Sequence, residues 1–378
     1  VDRFGGWGDR RLGAAVSEHL ERLDTDAERL LEGAIRDRVS PGAVLHAVSR
    51  HGPQLRVAAG SLTYEEGSPS VSQDTVYDLA SLTKVVACLP LLLHLLSEGE
   101  LTLSDTVSRF FANAGWFQEP SLGDVTLEDL ALHRSGLPAW RPLFANLSER
   151  RTATANVLQT HLTETKGAYV YSDLGAMALG AVIERVLGER LDSAFERIVA
   201  GPLGMSSVRF APLPADVQVA PTEDDGWRGR LLTGEVHDEN ATVMDGVSAH
   251  AGLFGRAADL VRYATAWLEL NAPFASEEWL RKATQDLSGG VGPARGLLWR
   301  LYDAEEWPLG AGVSSAAYGH TGFTGTSIVV DPGAGWVCVL LTNRVHPRRG
   351  DAGPVTRLRR AAHELVAAGF GPVAGNAA

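Results

Sequence analysis

The chain of 378 residues carries 46 acidic and 34 basic side chains, which give a formal net charge of −12 at pH 7. Its basic groupings are as short as residues 357–360, so the chain offers little attraction to a phosphate backbone and nucleic acid is not expected as a partner. A hydrophobic fraction of 45% with 21% charged residues predicts a folded chain with a large core rather than a disordered one.

The sequence shows no sign of a targeting or membrane segment. Its first residues lack a basic region followed by an apolar run, which is the pattern of a secretory signal. The most apolar run, residues 85–96, contains Pro90 and His94 and is too short to span a bilayer. We expect a cytoplasmic protein from the chain as it stands, and a periplasmic or extracellular one if a signal has been removed.

The first part of the chain predicts a helix followed by a hairpin. Apolar residues recur at helical spacing over residues 20–36. Two short apolar runs at 43–48 and 55–59 follow, joined by polar residues that are typical of a turn. A helix before antiparallel strands indicates an α+β arrangement rather than a parallel sheet.

The middle of the chain predicts mostly helices, and the last third returns to strands. Helices are expected to begin near Thr126 and to cover 174–186, where Gly188 ends the pattern, and 257–270. The segment 227–240 is polar and loop-like with weak strand character. Strands are expected at 296–301, 326–330 and 336–342, before a final helix at 355–368.

Ser81 and Lys84 are the first residues that suggest chemistry. Residues at i and i+3 of a helix have Cβ atoms about 5–6 Å apart, so the amine of Lys84 is expected to reach the hydroxyl of Ser81. A serine needs such a partner to attack a carbonyl, and a helix N-terminus offers N–H groups where negative charge develops. Alone, the pair also fits a helix cap beside a surface charge.

Two later stretches contribute further groups that acyl transfer requires. Tyr171-Ser172-Asp173 places a phenol and a carboxylate on a turn before the helix predicted at 174–186. His320-Thr321-Gly322 precedes the strand predicted at 326–330, and its glycine permits close approach of a substrate backbone. These stretches add a second proton-handling group and residues that hold a substrate.

In this order and at these intervals, the three motifs resemble those of the serine β-lactamase and penicillin-binding-protein superfamily, especially its branch of class C β-lactamases, D-Ala-D-Ala carboxypeptidases and esterases. The similarity spans about residues 30 to 365 and includes 130–138, 202–205 and 251–254. Residues 237–240, 322–327 and 341–347 are similar to a subgroup linked to cell-wall recycling. One type in that subgroup is an exo-acting N-acetylmuramoyl-L-alanine amidase.

The resemblance implies an α+β fold in which N- and C-terminal helices cover an antiparallel β-sheet beside a mostly helical subdomain. We expect one catalytic domain over residues 1–378, with an α/β subdomain at 1–80 and 236–378 and a mostly helical subdomain at 81–235. The active site would lie in the cleft between them. No cofactor is expected, the substrate would be a small molecule or peptide, and the oligomeric state stays open.

The resemblance also implies roles for the matching residues. Ser81 would be acylated, and Lys84 and Tyr171 would move protons as a coupled pair. The backbone N–H groups of Ser81 and Phe323 would stabilise the oxyanion. Substrate binding would fall to Asp173, His320, Thr321, Gly322 and Phe323.

Asp173 stands where many β-lactamases carry an asparagine. A carboxylate only accepts hydrogen bonds, which suits an amide or ester substrate with a donor at that point and weakens the case for a β-lactamase. Near Lys84, it would keep the amine protonated and leave the role of base to Tyr171. Alternatively, Asp173 points away and caps the following helix.

His320 replaces the lysine common in the third motif. An imidazole is mostly neutral near pH 7, so we predict that kcat/KM for carboxylate-bearing substrates rises as the pH falls toward about 6. His237 lies beside two acidic residues, but adjacent residues rarely converge on one ion, and no metal is expected. His133 and His250 are expected to form hydrogen bonds within loops.

Two further sets of residues have a structural and a functional interpretation. Cys88 and Cys338 lie within apolar runs and are predicted to be buried free thiols. Four aromatic residues either belong to the core or line the mouth of the cleft: Trp116, Phe117, Trp140 and Phe144.

The sequence therefore predicts a serine hydrolase that cleaves an amide or ester bond through an acyl-Ser81 intermediate, on a cell-wall-derived peptide or muramoyl peptide. A class C-like β-lactamase or an esterase would share this machinery. An inactive homologue that binds peptidoglycan fragments is an alternative of another class.

Overall fold

The chain folds around one antiparallel sheet with helices on both faces. The computed structural model describes residues 8–111, 121–305 and 307–370. The helices are α1 (Gly8–Arg36), α2 (Leu89–Ser97), α3 (Val107–Phe111), α4 (Leu127–Ala131), α5 (Arg150–Leu158), α6 (Asp173–Leu187), α7 (Leu191–Phe195), α8 (Gly201–Leu203), α9 (Glu239–Thr242), α10 (Ala257–Leu268), α11 (Glu277–Ala283) and α12 (Gly353–Phe370). The strands are β1 (Gly42–Ser49), β2 (Gln54–Gly60), β3 (Tyr77–Asp78), β4 (Arg209–Phe210), β5 (Asp224–Asp225), β6 (Arg230–Leu231), β7 (Leu253–Gly255), β8 (Arg300–Leu301), β9 (Tyr318–Thr321), β10 (Ser327–Asp331) and β11 (Trp336–Thr342).

The main sheet runs in the order β2-β1-β11-β10-β9-β8 with antiparallel neighbours. Ala43 pairs with Thr342 across β1 and β11, and Ser327 pairs with Leu340 across β10 and β11. A smaller sheet, β3-β7-β4, lies where the chain approaches Ser81. The N-terminal hairpin therefore joins the C-terminal strands in one sheet.

Alternate residues of the central strands face two separate cores, as the period of a strand requires. Cys338 and Leu340 pack in one core with residues of α1 and α12, such as Leu31 and Val366. Val339 and Leu341 pack in the larger core with residues of α2 and α6. The terminal helices therefore cover one face of the sheet and α10 packs against the opposite face, which confirms the expected α+β fold.

Most predicted helices are present, with somewhat different ends. The helices predicted at 20–36, 174–186 and 355–368 lie within α1, α6 and α12, and the one predicted at 257–270 ends earlier, at Leu268. Gly188 closes α6 with a φ of 69°, a left-handed conformation that glycine adopts without strain. Thr126 caps α4 and accepts a hydrogen bond from the N–H of Asp129.

One strand prediction needs correction. Residues 336–342 form β11 with the predicted bounds, and 326–330 corresponds to β10. The strand predicted at 296–301 is limited to Arg300–Leu301, because Leu298 has a φ of 58° and breaks the extended backbone. The expected loop at 227–240 contains the short strand β6 and the start of α9.

Both cysteines are free and buried, as predicted. Burial raises the pKa of Cys88 to about 12, so its thiol stays protonated and unreactive. Within the described ranges, no helix combines the length and the apolar character needed to cross a membrane. The division into subdomains at residues 81–235 stays a prediction.

Candidate active site

Ser81 lies where strand β3 gives way to the helical segment that leads into α2. Ala80 has a φ of 46°, a left-handed conformation that costs energy in a residue with a Cβ atom. The buried carboxylate of Asp78 stabilises this bend by accepting a hydrogen bond from the N–H of Ala80 at 2.7 Å. A π-helical turn at Lys84–Cys88 follows and connects to α2.

The amine of Lys84 lies at the centre of the site, with no exposed side-chain surface. It donates to Ser81 Oγ at 2.9 Å and to the backbone carbonyl of His250 at 3.1 Å, and lies 2.7 Å from Asp173 Oδ1. Burial lowers the pKa of Lys84, but the charges of Asp173 and Tyr171 raise it by more, so the net pKa lies above the ordinary value. Lys84 is therefore an ammonium ion at neutral pH.

Tyr171 faces two cations. The centroid of its ring lies 5.0 Å from Lys84 Nζ and 5.7 Å from the guanidinium carbon of Arg295. The rings of His133 and His320 lie on its other sides, with centroid distances of 4.6 and 6.0 Å. The phenol of Tyr171 therefore lies among two cations and two imidazole rings, beside the ammonium that contacts Ser81.

Asp173 pairs with Lys84, and the alternative that it caps the following helix is wrong. Ser172 is the cap of α6, since its hydroxyl accepts a hydrogen bond from the N–H of Gly175 at 3.1 Å. Asp173 is the first residue of α6, and its own N–H donates to the carbonyl of Ala139 at 2.9 Å. The carboxylate of Asp173 therefore does not cap the helix and instead contacts the buried ammonium of Lys84.

The turn after β9 is tied to the segment that precedes Ser81. Thr324 donates to the carbonyl of Asp78 at 2.7 Å, and Thr326 donates to the carbonyl of Leu79 at 3.2 Å. A Cβ atom on Gly322 would lie 2.1 Å from Thr326 Oγ1 and 2.6 Å from the carbonyl of Leu79, so only glycine fits there. These contacts bring the turn that carries Phe323 against the segment of Ser81.

Two backbone N–H groups remain free at this junction. Within the described ranges, neither the N–H of Ser81 nor that of Phe323 donates to a protein acceptor. Free N–H groups on two adjoining segments are what an oxyanion site requires. The geometry is compatible with the oxyanion site implied by the resemblance.

His320 lies in the site, but the expected change in its charge near pH 6 is wrong. The side chain is buried, and its Nδ1 lies 2.9 Å from the carbonyl of Thr321. Burial lowers the pKa of His320 well below its ordinary value, and the positive charges of Lys84 and Arg295 lower it further. His320 therefore stays neutral at pH 6 and above.

A cavity of about 740 Å³ opens in front of Ser81. Its lining includes Ser81, Tyr169, Tyr171, Arg295, His320, Thr321, Gly322, Phe323, Arg344 and Arg359. Among the described residues that line it, none is acidic, so the cavity is cationic although the whole chain is acidic.

The arginines of this cavity were missed by sequence reasoning. Arg295 donates to the hydroxyl of Tyr169 at 2.7 Å, and Arg344 donates to the carbonyl of Phe323 at 2.8 Å. Arg359 donates to the carbonyls of residues 322, 325 and 326 and so holds the turn after β9. Arg344 lies within the stretch 341–347 that carries the resemblance, but that stretch assigns it no role, and no motif marks Arg295 or Arg359, because distant parts of the chain bring these residues together.

Residues 237–240 brace the site rather than converge on a metal ion. His237 bonds to Glu223 at 2.9 Å and stacks on the ring of Phe323, with centroids 5.7 Å apart. The other three side chains have separate partners: Asp238 bonds to His250, Glu239 to Arg349, and Asn240 to the backbone of Arg141 and Phe144.

The remaining predicted residues fall into three groups. His133 accepts a hydrogen bond from the N–H of Ser172, and His250 bonds to Ser248, so both satisfy loop contacts as expected. Trp140 and Phe144 lie beside each other, with ring centroids 6.2 Å apart. The predictions for Trp116 and Phe117 lie outside the described residues.

Comparison with known proteins gives consistent results. The family model described as Beta-lactamase matches residues 27–362. The chain is 33% identical to an N-acetylmuramyl-L-alanine amidase from Bacillus subtilis (strain 168), over 87% of this chain and 82% of that protein. It is 32% identical to a putative D-alanyl-D-alanine carboxypeptidase from Escherichia coli (strain K12), over 77% of this chain and 75% of that protein.

Solved structures show the same fold. A class C β-lactamase from Rhodobacter sphaeroides matches with a TM-score of 0.69 and 19% identity, over 90% of this chain and 98% of that one. At this level of identity, the match concerns the fold alone.

Proposed function

Because the chain belongs to the β-lactamase family, we propose that it is a serine hydrolase that cleaves an amide bond of a muramoyl peptide through an acyl-Ser81 intermediate. The observation that carries the proposal is the contact of Ser81 Oγ with the buried ammonium of Lys84, 2.9 Å away, beside the phenol of Tyr171. A serine hydroxyl and a phenol that lie beside the same ammonium are arranged for proton transfer during nucleophilic attack.

In the acylation step, Tyr171 takes the proton of Ser81 while Oγ attacks the carbonyl carbon of the substrate. Lys84 stays charged throughout. It stabilises the phenolate of Tyr171 whenever the phenol has given up its proton. The N–H groups of Ser81 and Phe323 stabilise the tetrahedral oxyanion, and the loss of one such donor typically costs about 10²- to 10³-fold in rate. Tyr171 then delivers the proton to the leaving nitrogen, the C–N bond breaks, and the amine departs.

In the deacylation step, the same groups act on water. Water attacks the ester carbonyl of acyl-Ser81 and transfers a proton to Tyr171, and the tetrahedral intermediate collapses to release the acid. Ser81 recovers its proton from Tyr171. In this scheme Asp173 does not touch the reacting atoms; it keeps Lys84 charged and in place.

The choice of substrate rests on two observations. The relative from Bacillus subtilis is named an N-acetylmuramyl-L-alanine amidase, and the match covers most of both chains. Asp173 offers only hydrogen-bond acceptors at the site, so it suits a substrate with an amide donor and opposes a carboxylate at that point. Both support an amide within a muramoyl peptide over a β-lactam.

A second candidate function is D-Ala-D-Ala carboxypeptidase, which the Escherichia coli relative's name suggests. The observation that favours it is the cationic lining of the cavity, where Arg295 and Arg344 would attract the carboxylate at the end of a peptide. The machinery around Ser81 would be the same for both reactions.

Two measurements test the proposal. Incubation with a fluorophosphonate, followed by intact mass measurement, should show one adduct in the wild type and none in Ser81→Ala; an unmodified wild type would refute the nucleophile. Parallel turnover of a muramoyl peptide, a D-Ala-D-Ala peptide and nitrocefin should show the highest kcat/KM for the muramoyl peptide. Faster turnover of nitrocefin would indicate that the enzyme acts as a β-lactamase rather than as an amidase.

A further inference from the structure

Three aromatic side chains form a row at the surface, which we name the aromatic platform (Trp140, Phe144 and Trp227); the two tryptophans are exposed and the phenylalanine is half-buried. Trp140 and Trp227 keep 46% and 47% of their surface exposed, although large aromatic side chains usually lie in the core. Phe144 lies between them, with ring centroids 6.2 Å from Trp140 and 5.0 Å from Trp227. An exposed aromatic patch of this kind marks a place where a ligand binds.

Contacts with Arg228 and Asn240 hold the aromatic platform in place. The guanidinium of Arg228 lies over the ring of Trp227, 5.4 Å from the centroid, and is itself fixed by the carbonyls of Val236 and His237 at 2.7 Å each. The amide of Asn240 accepts from the N–H of Phe144 at 3.3 Å. Because the rings are already ordered, a ligand that stacks on them loses little of its binding energy to ordering the protein.

Short hydrogen-bonded paths connect the aromatic platform to the catalytic centre. Trp140 follows Ala139, whose carbonyl accepts the N–H of Asp173, and Asp173 contacts Lys84. On the other side, Asn240 belongs to α9, which is capped by Asp238. Asp238 bonds to His250, whose carbonyl accepts a hydrogen bond from Lys84, so hydrogen-bonded paths run from both sides of the aromatic platform to Lys84.

The surroundings select the chemical class of that ligand. The carboxylates of Asp173 and Asp238 beside the aromatic platform keep 21% and 24% of their side-chain surface exposed. Asp173 is paired with Lys84 and Asp238 with His250, so a lipid or an apolar peptide laid across this surface would remove the part of each carboxylate that is still hydrated without replacing its water, which is costly. A pyranose ring avoids that cost, because its C–H faces stack on aromatic rings while hydroxyl groups on its rim donate to carboxylates.

We infer that the aromatic platform binds the sugar ring of the muramoyl group, an inference that rests on the proposed amidase function. The scissile amide joins the carbonyl of the muramoyl group to the amine of the peptide. When the C–N bond breaks, the peptide amine leaves with a proton and the muramoyl group stays on Ser81. The sugar therefore occupies the acyl side of the site, and the peptide leaves from the cationic cavity.

The test compares Trp140→Ala and Trp227→Ala with a matched control, Trp279→Ala, whose tryptophan lies on α11 beside Lys282. For a muramoyl peptide, we expect each platform variant to lower kcat/KM by about tenfold, the size of one aromatic stacking contact. For a short p-nitrophenyl ester, which lacks the sugar, kcat/KM of each platform variant should stay within about twofold of the wild-type value. An equal loss on both substrates, or no loss on either, would overturn the inference.

A binding measurement separates this inference from the proposed function. Free N-acetylmuramic acid should change the tryptophan fluorescence of the wild type and of Trp279→Ala, and the change should be reduced in Trp140→Ala and Trp227→Ala. If the wild type binds the sugar but does not cleave a muramoyl peptide, the proposed function fails and the subsite stands. If it cleaves the peptide while the platform variants bind the sugar unchanged, the subsite is refuted and the function stands.

Discussion

The replacement Asp173→Asn removes the charge that balances a buried ammonium while it keeps the shape of the side chain. Asp173 Oδ1 lies 2.7 Å from Lys84 Nζ, and the lysine side chain has no exposed surface. At that distance and an effective dielectric constant of 20, two unit charges attract each other by about 6 kcal/mol. Part of this attraction is already offset by the cost of removing both groups from water, so we expect the free energy of unfolding at pH 7 to fall by about 3–5 kcal/mol.

The destabilisation should depend on pH in a definite direction. In the wild type, the pKa of Lys84 is raised above its unfolded value of about 10.4, so its contribution is fully present below that pH and is lost as the pH rises through the folded pKa. In Asp173→Asn, burial is no longer balanced by the carboxylate, and the folded pKa of Lys84 falls. The unfolded state then binds more protons than the folded state, so the stability of the variant rises with pH toward about 10.

Urea unfolding at pH 7 and pH 9.5 measures both effects. The difference in unfolding free energy between the wild type and Asp173→Asn should be largest at pH 7 and smaller at pH 9.5. The control is Asp74→Asn, which breaks an ion pair with Arg256 in which the aspartate side chain is 81% exposed, and which should change stability by less than about 1 kcal/mol at either pH. A loss for Asp173→Asn as small as that of the control, or one that is the same at both pH values, would refute the reasoning.

Three further predictions follow from the site. Because the pKa of His320 is lowered well below its ordinary value, kcat/KM for a carboxylate-bearing substrate should not rise between pH 7 and pH 6 through this residue, and His320→Gln should have the same profile shape as the wild type; a rise in the wild type alone would contradict this. Gly322→Ala places a Cβ atom 2.1 Å from Thr326 Oγ1 and should lower kcat by about 10²- to 10³-fold through displacement of the oxyanion turn, while Gly226→Ala, where nothing lies within 4 Å, should leave kcat unchanged. Asp238→Asn weakens the bond to His250, whose carbonyl holds Lys84, and should lower kcat about tenfold with little change in KM for a short p-nitrophenyl ester, which lacks the sugar; an unchanged kcat for that ester would contradict this positioning role.

The sequence was most informative where short-range patterns decide the structure. The β-rich apolar run at 336–342 and the apolar run at 174–186, which Gly188 ends, led to a strand and a helix close to β11 and α6, since strand preference and helix termination depend on residues close together in the chain. It was less informative at 296–301, where the positive φ of Leu298 limits the strand to two residues. A single residue with a left-handed backbone angle leaves no periodic pattern in the sequence.

The three short motifs were sufficient to indicate a serine hydrolase, because each motif keeps its reactive groups within a few residues of one another. The partners of those groups depend on packing between distant segments. Whether Asp173 caps a helix or pairs with Lys84 was decided by the competing cap at Ser172 and by the fold that brings both residues into contact. The charge state of His320 was decided in the same way, since burial and the cation of Arg295, which lies in a distant loop, set its pKa. The kind of chemistry is therefore local in the chain, whereas the protonation states that allow it are set by tertiary distances and burial.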